Sequence, residues 1–175
     1  ATMPWRGAVP IAKEQLEHTW QEVLAHAAPP RKRLLYLHIP FCATHCTFCG
    51  FYQNRYEEDH CARYTDALLR EIEMEADSVL HQSAPIHAVY FGGGTPSALS
   101  ARDLARIITA LRERLPLAPD CEITIEGRVL NFDDARIDAC LDAGANRFSI
   151  GIQSFNSKIR KKMARTSACP TAIAF

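Results

Sequence analysis

The 175-residue chain is 47% hydrophobic and 23% charged, and its 20 basic and 20 acidic side chains cancel to zero net charge. That is enough apolar material for one globular domain with a core, and it excludes intrinsic disorder. Neutral charge, no basic stripe interleaved with aromatics, and no run approaching the ~20 apolar residues of a bilayer span argue against nucleic acid and against a membrane-spanning segment.

Residues 1–6 lack the apolar stretch of a secretory signal, so the expected compartment is the cytoplasm. Seven cysteines in a reducing compartment are not expected to pair. The crowding of Cys42, Cys46 and Cys49 points to metal instead.

In chain order, Ile11, Leu16, Trp20, Val23, Leu24 and Ala27 approximate helical spacing, and Pro29-Pro30 ends that helix. Arg31-Lys32-Arg33 reads as a solvated linker, so residues 1–33 form an N-terminal helical extension. Residues 34–39 read as a strand and 57–80 as one long amphipathic helix carrying Tyr64, Leu68, Ile72, Ala76 and Val79. Residues 87–91 read as the second strand. Residues 100–115 read as the second helix of the alternation, opened by a Ser100-x-x-Asp103 capping box and closed by Pro116. A strand over 122–126, a helix over 133–143 with Gly144 at its C-cap, a strand over 147–153 and a short basic helix over 156–164 complete it. Four consecutive βα units predict a parallel sheet with right-handed crossovers, either open or curled towards a barrel.

Alternation within the strands puts Leu35, Leu37, Ile39, Ile123, Ile125, Phe148, Ile150 and Ile152 on the face that helices cover. Tyr36, His38, Glu122, Thr124, Glu126, Ser149, Gly151 and Gln153 fall on the other face. A parallel sheet covered on both sides should be apolar on both, so the polar face points to a wet or ligand-filled lumen. Its polar side chains gather towards strand C-termini, where β/α folds build their sites, which favours a ligand over trapped water. A full barrel takes ~250 residues and eight strands, so the four strands here make a partial one. Residues 167–175 show no helical period, and with that shortfall they give the expectation of a C-terminal truncation or frameshift.

Directly after the first strand stands Cys42-Ala-Thr-His-Cys46-Thr-Phe-Cys49, a C-x3-C-x2-C spacing. Three thiolates on one loop can bind three irons of a 4Fe–4S cube and leave the fourth open to a small chelating ligand, which makes the cluster a reaction centre. A zinc site would want a fourth ligand, for which His45 or Cys61 could be proposed. His45 lies between two candidate thiolates, and Cys61 lies on a helix where it packs as a small apolar residue, so the cluster is favoured.

The segment Tyr36-Leu-His-Ile-Pro-Phe-Cys42-x3-Cys46-x-Phe48-Cys49 is followed in order by Gly92-Gly93-Gly94-Thr95-Pro96, Ile125-Glu126 and Gly151-Ile152-Gln153-Ser154-Phe155-Asn156. This set resembles the radical S-adenosylmethionine (SAM) superfamily. Within it, the chain is similar over residues 34–165 to the oxygen-independent coproporphyrinogen oxidase branch, which includes haem chaperones and anaerobic haem-degrading enzymes. The resemblance implies an α/β fold, a partial (β/α) barrel of the radical SAM type, with its core over residues 34–166 and an atypical tail over 167–175.

It further implies a 4Fe–4S cluster on Cys42, Cys46 and Cys49, with SAM on the open iron and cleaved by one electron to a 5′-deoxyadenosyl radical. Gly93, Gly94 and Thr95 would let backbone groups approach the methionine part of SAM. Tyr36 would sit near SAM, and Phe48 would stack on its adenine. Glu126 and Gln153 would contact its ribose or amino group, since burying such groups unpartnered costs on the order of a few kcal/mol. Arg165 would pair with its carboxylate as a fork. Arg160, Lys161 and Lys162 are read as a solvated helix face.

The branch is read from departures. The coproporphyrinogen oxidases carry a fourth cysteine two positions after the third, where this chain has Phe51. The haem chaperones have Tyr or Trp before the third cysteine and Asp-Phe after it, where this chain has Phe48 and Gly50-Phe51-Tyr52. Residues 44–55 and Glu126-Gly127-Arg128 are most similar to the anaerobic haem-degrading radical SAM methyltransferases of haem-utilisation systems. That resemblance implies haem or another tetrapyrrole as substrate, a methyl group from SAM, ring opening with iron release, and a cytosolic electron donor such as flavodoxin or ferredoxin. Coproporphyrinogen oxidase-like activity, haem chaperoning and an inactive truncated fragment stand as alternatives. Cys121 and Cys140 are read as packing residues, and Cys169 has no assigned role.

Overall fold

The computed structural model describes residues 7–50 and 54–165. A single 3₁₀ turn, Lys13–Gln15, leads into α1 (Leu16–Ala25) and then β1 (Arg33–Ile39). Two short strands, β2 (Phe41–Cys42) and β3 (Asn54–Arg55), bracket the cysteine loop. Then come α2 (Glu58–Glu75), α3 (Val79–Gln82), β4 (Ile86–Gly93), α4 (Ala101–Arg114), β5 (Leu117–Gly127), α5 (Asp134–Ala143), β6 (Arg147–Ile150) and α6 (Ser157–Lys162). β1, β4, β5 and β6 form one sheet in that order, and every pairing is parallel. Each βα unit is thus laid beside the one before it. That is the order of a closing barrel, without the reversal that marks a doubly wound sheet.

The apolar face follows the period-two pattern: Leu37, Ile39, Val89, Phe91, Ile123 and Ile125 are all buried in the core. Over them lies α4, whose Leu104, Ile107, Ile108 and Leu111 form one buried stripe at helical spacing. The Ser100 hydroxyl starts that helix, accepting from the Asp103 backbone N–H at 3.0 Å and donating to the Asp103 carboxylate at 2.8 Å. Arg112 and Arg114 in the last turn complement the helix dipole. Ile108→Ala is expected to lower unfolding free energy by about 2–5 kcal/mol, read as a lower urea midpoint at unchanged slope.

Cys61, Cys121 and Cys140 pack in the core, as their helix and strand positions imply. Cys140 is 0% exposed, and burial raises its thiol pKa from 9.0 to about 11. The folded state therefore holds that proton after the unfolded chain has released it. Its contribution is complete below pH 9 and disappears as pH climbs to 11, a loss of roughly 2–3 kcal/mol. Cys140→Ala should flatten this alkaline decline, which chemical denaturation at pH 8 to 11 would measure.

Several expectations change. The helix over 57–80 is two helices, because Ser78 accepts from the His81 backbone N–H and caps α3, where a serine hydroxyl competes with continued helix. The third strand of the sheet begins at Leu117, paired with Ile86, immediately after Pro116. The fourth ends at Ile150: Gly151 N still donates to Gly127 O at 2.9 Å, but Gln153 takes a φ of 68° and turns the chain out of the sheet. Arg160 is not solvated. It is 2% exposed, and its guanidinium donates to the carbonyls of Ile152 and Ser154, bracing that same turn.

The N-terminal helix is shorter than its apolar pattern, and Trp20 Nε1 donates to Glu75 Oε1 at 2.7 Å, docking α1 on the end of α2. The expectations on Phe51, Tyr52 and residues 167–175, Cys169 included, lie outside the described residues. No described helix is long and apolar enough to cross a membrane.

Candidate functional site

Pro40 ends β1, and the chain enters the cysteine loop through β2. The loop is closed at its base by a parallel pairing, with Asn54 N donating to Pro40 O at 3.1 Å and Tyr56 N to Cys42 O at 2.9 Å. Inside it, Cys49 N donates to Cys46 O at 3.0 Å. Cys42 and Cys46 are buried and Cys49 is half-buried. Burial pushes the Cys42 thiol up; the Thr95 hydroxyl, 3.3 Å from its Sγ, opposes this, Cys49 and Cys46 add to it, and Arg128 opposes it. Cys42 is thus close enough to the other two thiols to feel their charge, a condition that ligation by iron relieves.

The end of β4 is drawn against this loop. Gly94 N donates to Ile39 O and Thr95 N to Phe41 O, both at 2.8 Å. A Cβ on Gly94 would stand 2.7 Å from Phe41 O, and Gly93 sits at a φ of 110°. Bare backbone is what permits this approach.

One cavity is walled by Cys42, Cys46 and Cys49, by Phe48, by Gly93, Gly94 and Thr95, and by Glu126, Gln153 and Arg165. Ten of the eleven residues picked out from the sequence therefore meet there. Arg165 is fitted for a ligand: its guanidinium lies 5.6 Å from the centre of the Phe48 ring, and its Nε is buried without a hydrogen-bond partner. Burial lowers its pKa, with Cys46 and Cys49 opposing and Arg128 and Arg160 adding. Among the described residues no three His, Cys, Asp or Glu side chains converge on a single ion position. A lone zinc needs its ligands within about 2.3 Å of one point, whereas a cube offers each thiolate its own iron. The donor set, together with the glycine cradle and the orphaned Nε, fits a cluster with a chelating ligand beside it.

Tyr36 is the eleventh residue, and it is not on the cavity wall. It is 51% exposed and stacks on Tyr90 at 6.3 Å with planes 10° apart. Gly92 leaves room for both rings, since a Cβ there would meet Tyr36 at 2.8 Å and Tyr90 at 3.0 Å. Tyr36 Oη lies 3.2 Å from His38 Nδ1, and Tyr90 donates to Glu126 Oε2 at 3.2 Å, so Tyr36 connects to the cavity through Tyr90 and Glu126. Burial, then the Glu126 charge and Tyr90, push its pKa up.

Thr44, Gly127, Arg128 and Gly151 also line the cavity, though none is among the cluster or SAM contacts expected from the sequence. Arg128 carried a readable signal, since it lies two residues past Glu126 at a strand end on the ligand side of a β/α fold.

The radical SAM superfamily pattern matches residues 36–168, and the chain belongs to that superfamily, which uses a 4Fe–4S cluster and SAM. The chain is 86% identical over 175 residues to anaerobilin synthase of Escherichia coli O157:H7, a match covering all of this chain and 39% of that protein. It is 37% identical over 130 residues to the heme chaperone HemW of Synechocystis sp., covering 71% of this chain and 31% of that one. It is 36% identical over 132 residues to the oxygen-independent coproporphyrinogen III oxidase of Paracoccus denitrificans, covering 75% and 29%. The chain thus spans less than two fifths of the length of these relatives. Coproporphyrinogen III oxidase HemN of Escherichia coli, a radical SAM enzyme of solved structure, matches at a TM-score of 0.80 and 30% identity over 95% of this chain and 38% of that one. The sequential parallel sheet is part of a radical SAM barrel.

Proposed function

We propose that the cavity holds a 4Fe–4S cluster on Cys42, Cys46 and Cys49 with SAM beside it, and that this chain is the radical-generating part of an enzyme that methylates haem and opens its ring without oxygen, releasing iron. The observation that carries the site is the meeting of three thiols, a bare strand end and an unpartnered arginine Nε in one cavity. The 86% identity to anaerobilin synthase carries the substrate.

When bound, the cluster supplies one electron to SAM, and SAM supplies the radical and the methyl group. The chain's own residues bind and orient. Gly93 and Gly94 keep the end of β4 bare for the methionine part, and the Thr95 hydroxyl steadies Cys42. Arg165 takes the carboxylate as a fork, Glu126 and Gln153 hold the ribose or amino group, and Phe48 offers a face to adenine. Tyr36 acts indirectly, through Tyr90 on Glu126. A flavodoxin or ferredoxin as electron donor, a cytoplasmic location, and residues 34–166 as the radical SAM core, with 1–33 as an extension and 167–175 as a tail, belong to the same reading.

Anaerobic reconstitution with iron and sulfide, followed by electron paramagnetic resonance of the reduced protein with and without SAM, tests the site. The expected result is a 4Fe–4S signal that changes on adding SAM. Turnover with haem, SAM and reductant should then bleach the Soret band and release 5′-deoxyadenosine. The 37% identity to heme chaperone HemW favours a second reading, which predicts stoichiometric haem binding with no SAM consumed. A chain that takes up no cluster counts against both.

A further inference from the structure

We propose that Arg128 is a positioning residue of the cysteine loop: through Thr44 it ties the loop to the end of β5, and it keeps a permanent positive charge beside the cluster thiolates. This rests on the cluster reading of the cavity. Arg128 follows β5 directly, and its backbone is held by Ser97, whose hydroxyl accepts from Arg128 N at 3.3 Å. Gly127 permits that approach, because a Cβ there would fall 2.1 Å from Ser97 Oγ. From this fixed base, Arg128 Nη1 donates to Thr44 Oγ1 at 2.6 Å.

Thr44 stands between Cys42 and Cys46, so the bond reaches the middle of the C-x3-C spacing. The loop's other anchors meet it elsewhere, the Thr95 hydroxyl from beyond β4 lying against Cys42 Sγ at 3.3 Å. The β2–β3 pairing closes its base, and Thr47 Oγ1 donates to Lys162 O at 3.1 Å beside α6. Arg128 therefore supplies a tie from the end of β5 to the middle of the ligand-bearing segment.

The charge is the second half of the argument. A guanidinium is never deprotonated in a protein and carries five donors, of which the tie to Thr44 uses one. Arg128 shares the cavity wall with all three cysteines, so its field reaches the site. A cluster gains one negative charge on reduction, so a fixed cation nearby favours the reduced form and raises the potential. Lysine keeps the charge but not the planar geometry that reaches Thr44.

The test uses the 175-residue chain reconstituted anaerobically with iron and sulfide. It measures the midpoint potential by a redox titration followed by paramagnetic resonance, and the rate of iron release to a chelator. Arg128→Met should lower the potential and release iron at least roughly tenfold faster, in line with the loss of an outer-shell partner. Thr44→Val should release iron faster at near-native potential, and Arg128→Lys should do the same. An unchanged potential in Arg128→Met overturns the role of the charge, and unchanged release in Thr44→Val overturns the tie. If both are unchanged while the parent chain takes up its cluster, the inference falls and the cluster reading stands. If the parent chain takes up no cluster, both fall.

Discussion

Replacing any one of Cys42, Cys46 and Cys49 by serine is expected to abolish stable cluster uptake. The hydroxyl matches the thiol in shape, but it remains protonated at neutral pH and is a poor ligand for iron, which these clusters bind through thiolate. Two of the three thiols are buried, so water does not readily take the place of a missing ligand. Iron and sulfide bound per chain after anaerobic reconstitution should fall to near background in each variant, with loss of the broad visible absorbance. Cys61→Ala provides the contrast. That thiol packs in the core on α2, so its loss should lower stability modestly and leave iron content at the parent level. A serine variant that retained full iron would remove its residue from the ligand set.

Gly94→Ala is expected to have the next largest effect. The new Cβ would lie 2.7 Å from the Phe41 carbonyl oxygen and 2.9 Å from the Phe41 backbone carbon and nitrogen. No side chain can rotate away to relieve contacts that are all backbone, so the end of β4 has to part from β2. That separation strains the Thr95 N–H bond to Phe41 O and the approach of Thr95 to Cys42, which together align the strand end with the cysteine loop. Overpacking of this kind costs about 1–3 kcal/mol, and the response of the reduced cluster to SAM should be lost. Gly50→Ala is the matched control, because among the described residues a Cβ there meets nothing within 4 Å. It should reconstitute and respond to SAM as the parent does. Denaturant unfolding and paramagnetic resonance with and without SAM measure both effects.

Much of the site could be read from the chain because its signals are short in range. The C-x3-C-x2-C spacing, the Gly-Gly-Gly-Thr-Pro turn and strand parity each lie within a few residues, and they cover eight of the ten residues that share one cavity wall, Phe48 and Arg165 being implied by the family resemblance. The same holds for the helix starts at Ser100 and Asp133, where side chains accept backbone N–H groups three residues on, and for the left-handed cap at Gly144.

What local pattern could not reach is set by partners distant along the chain. Arg160 sits in a basic run that looks solvated, yet carbonyls of the turn after β6 draw it inward, because buried carbonyls need donors. Tyr36 has the right parity for the lumen but stacks on Tyr90 instead of reaching the cavity wall. The β2–β3 pairing joins two strands too short to show a period of their own, and it forms only once the loop closes. The tie between Arg128 and Thr44 spans 84 residues and has no trace in either neighbourhood. Residue type and spacing thus dictate which chemistry the chain carries. Which side chain faces which is settled by packing, since a side chain's partners become known only when the sheet brings distant segments within hydrogen-bonding distance.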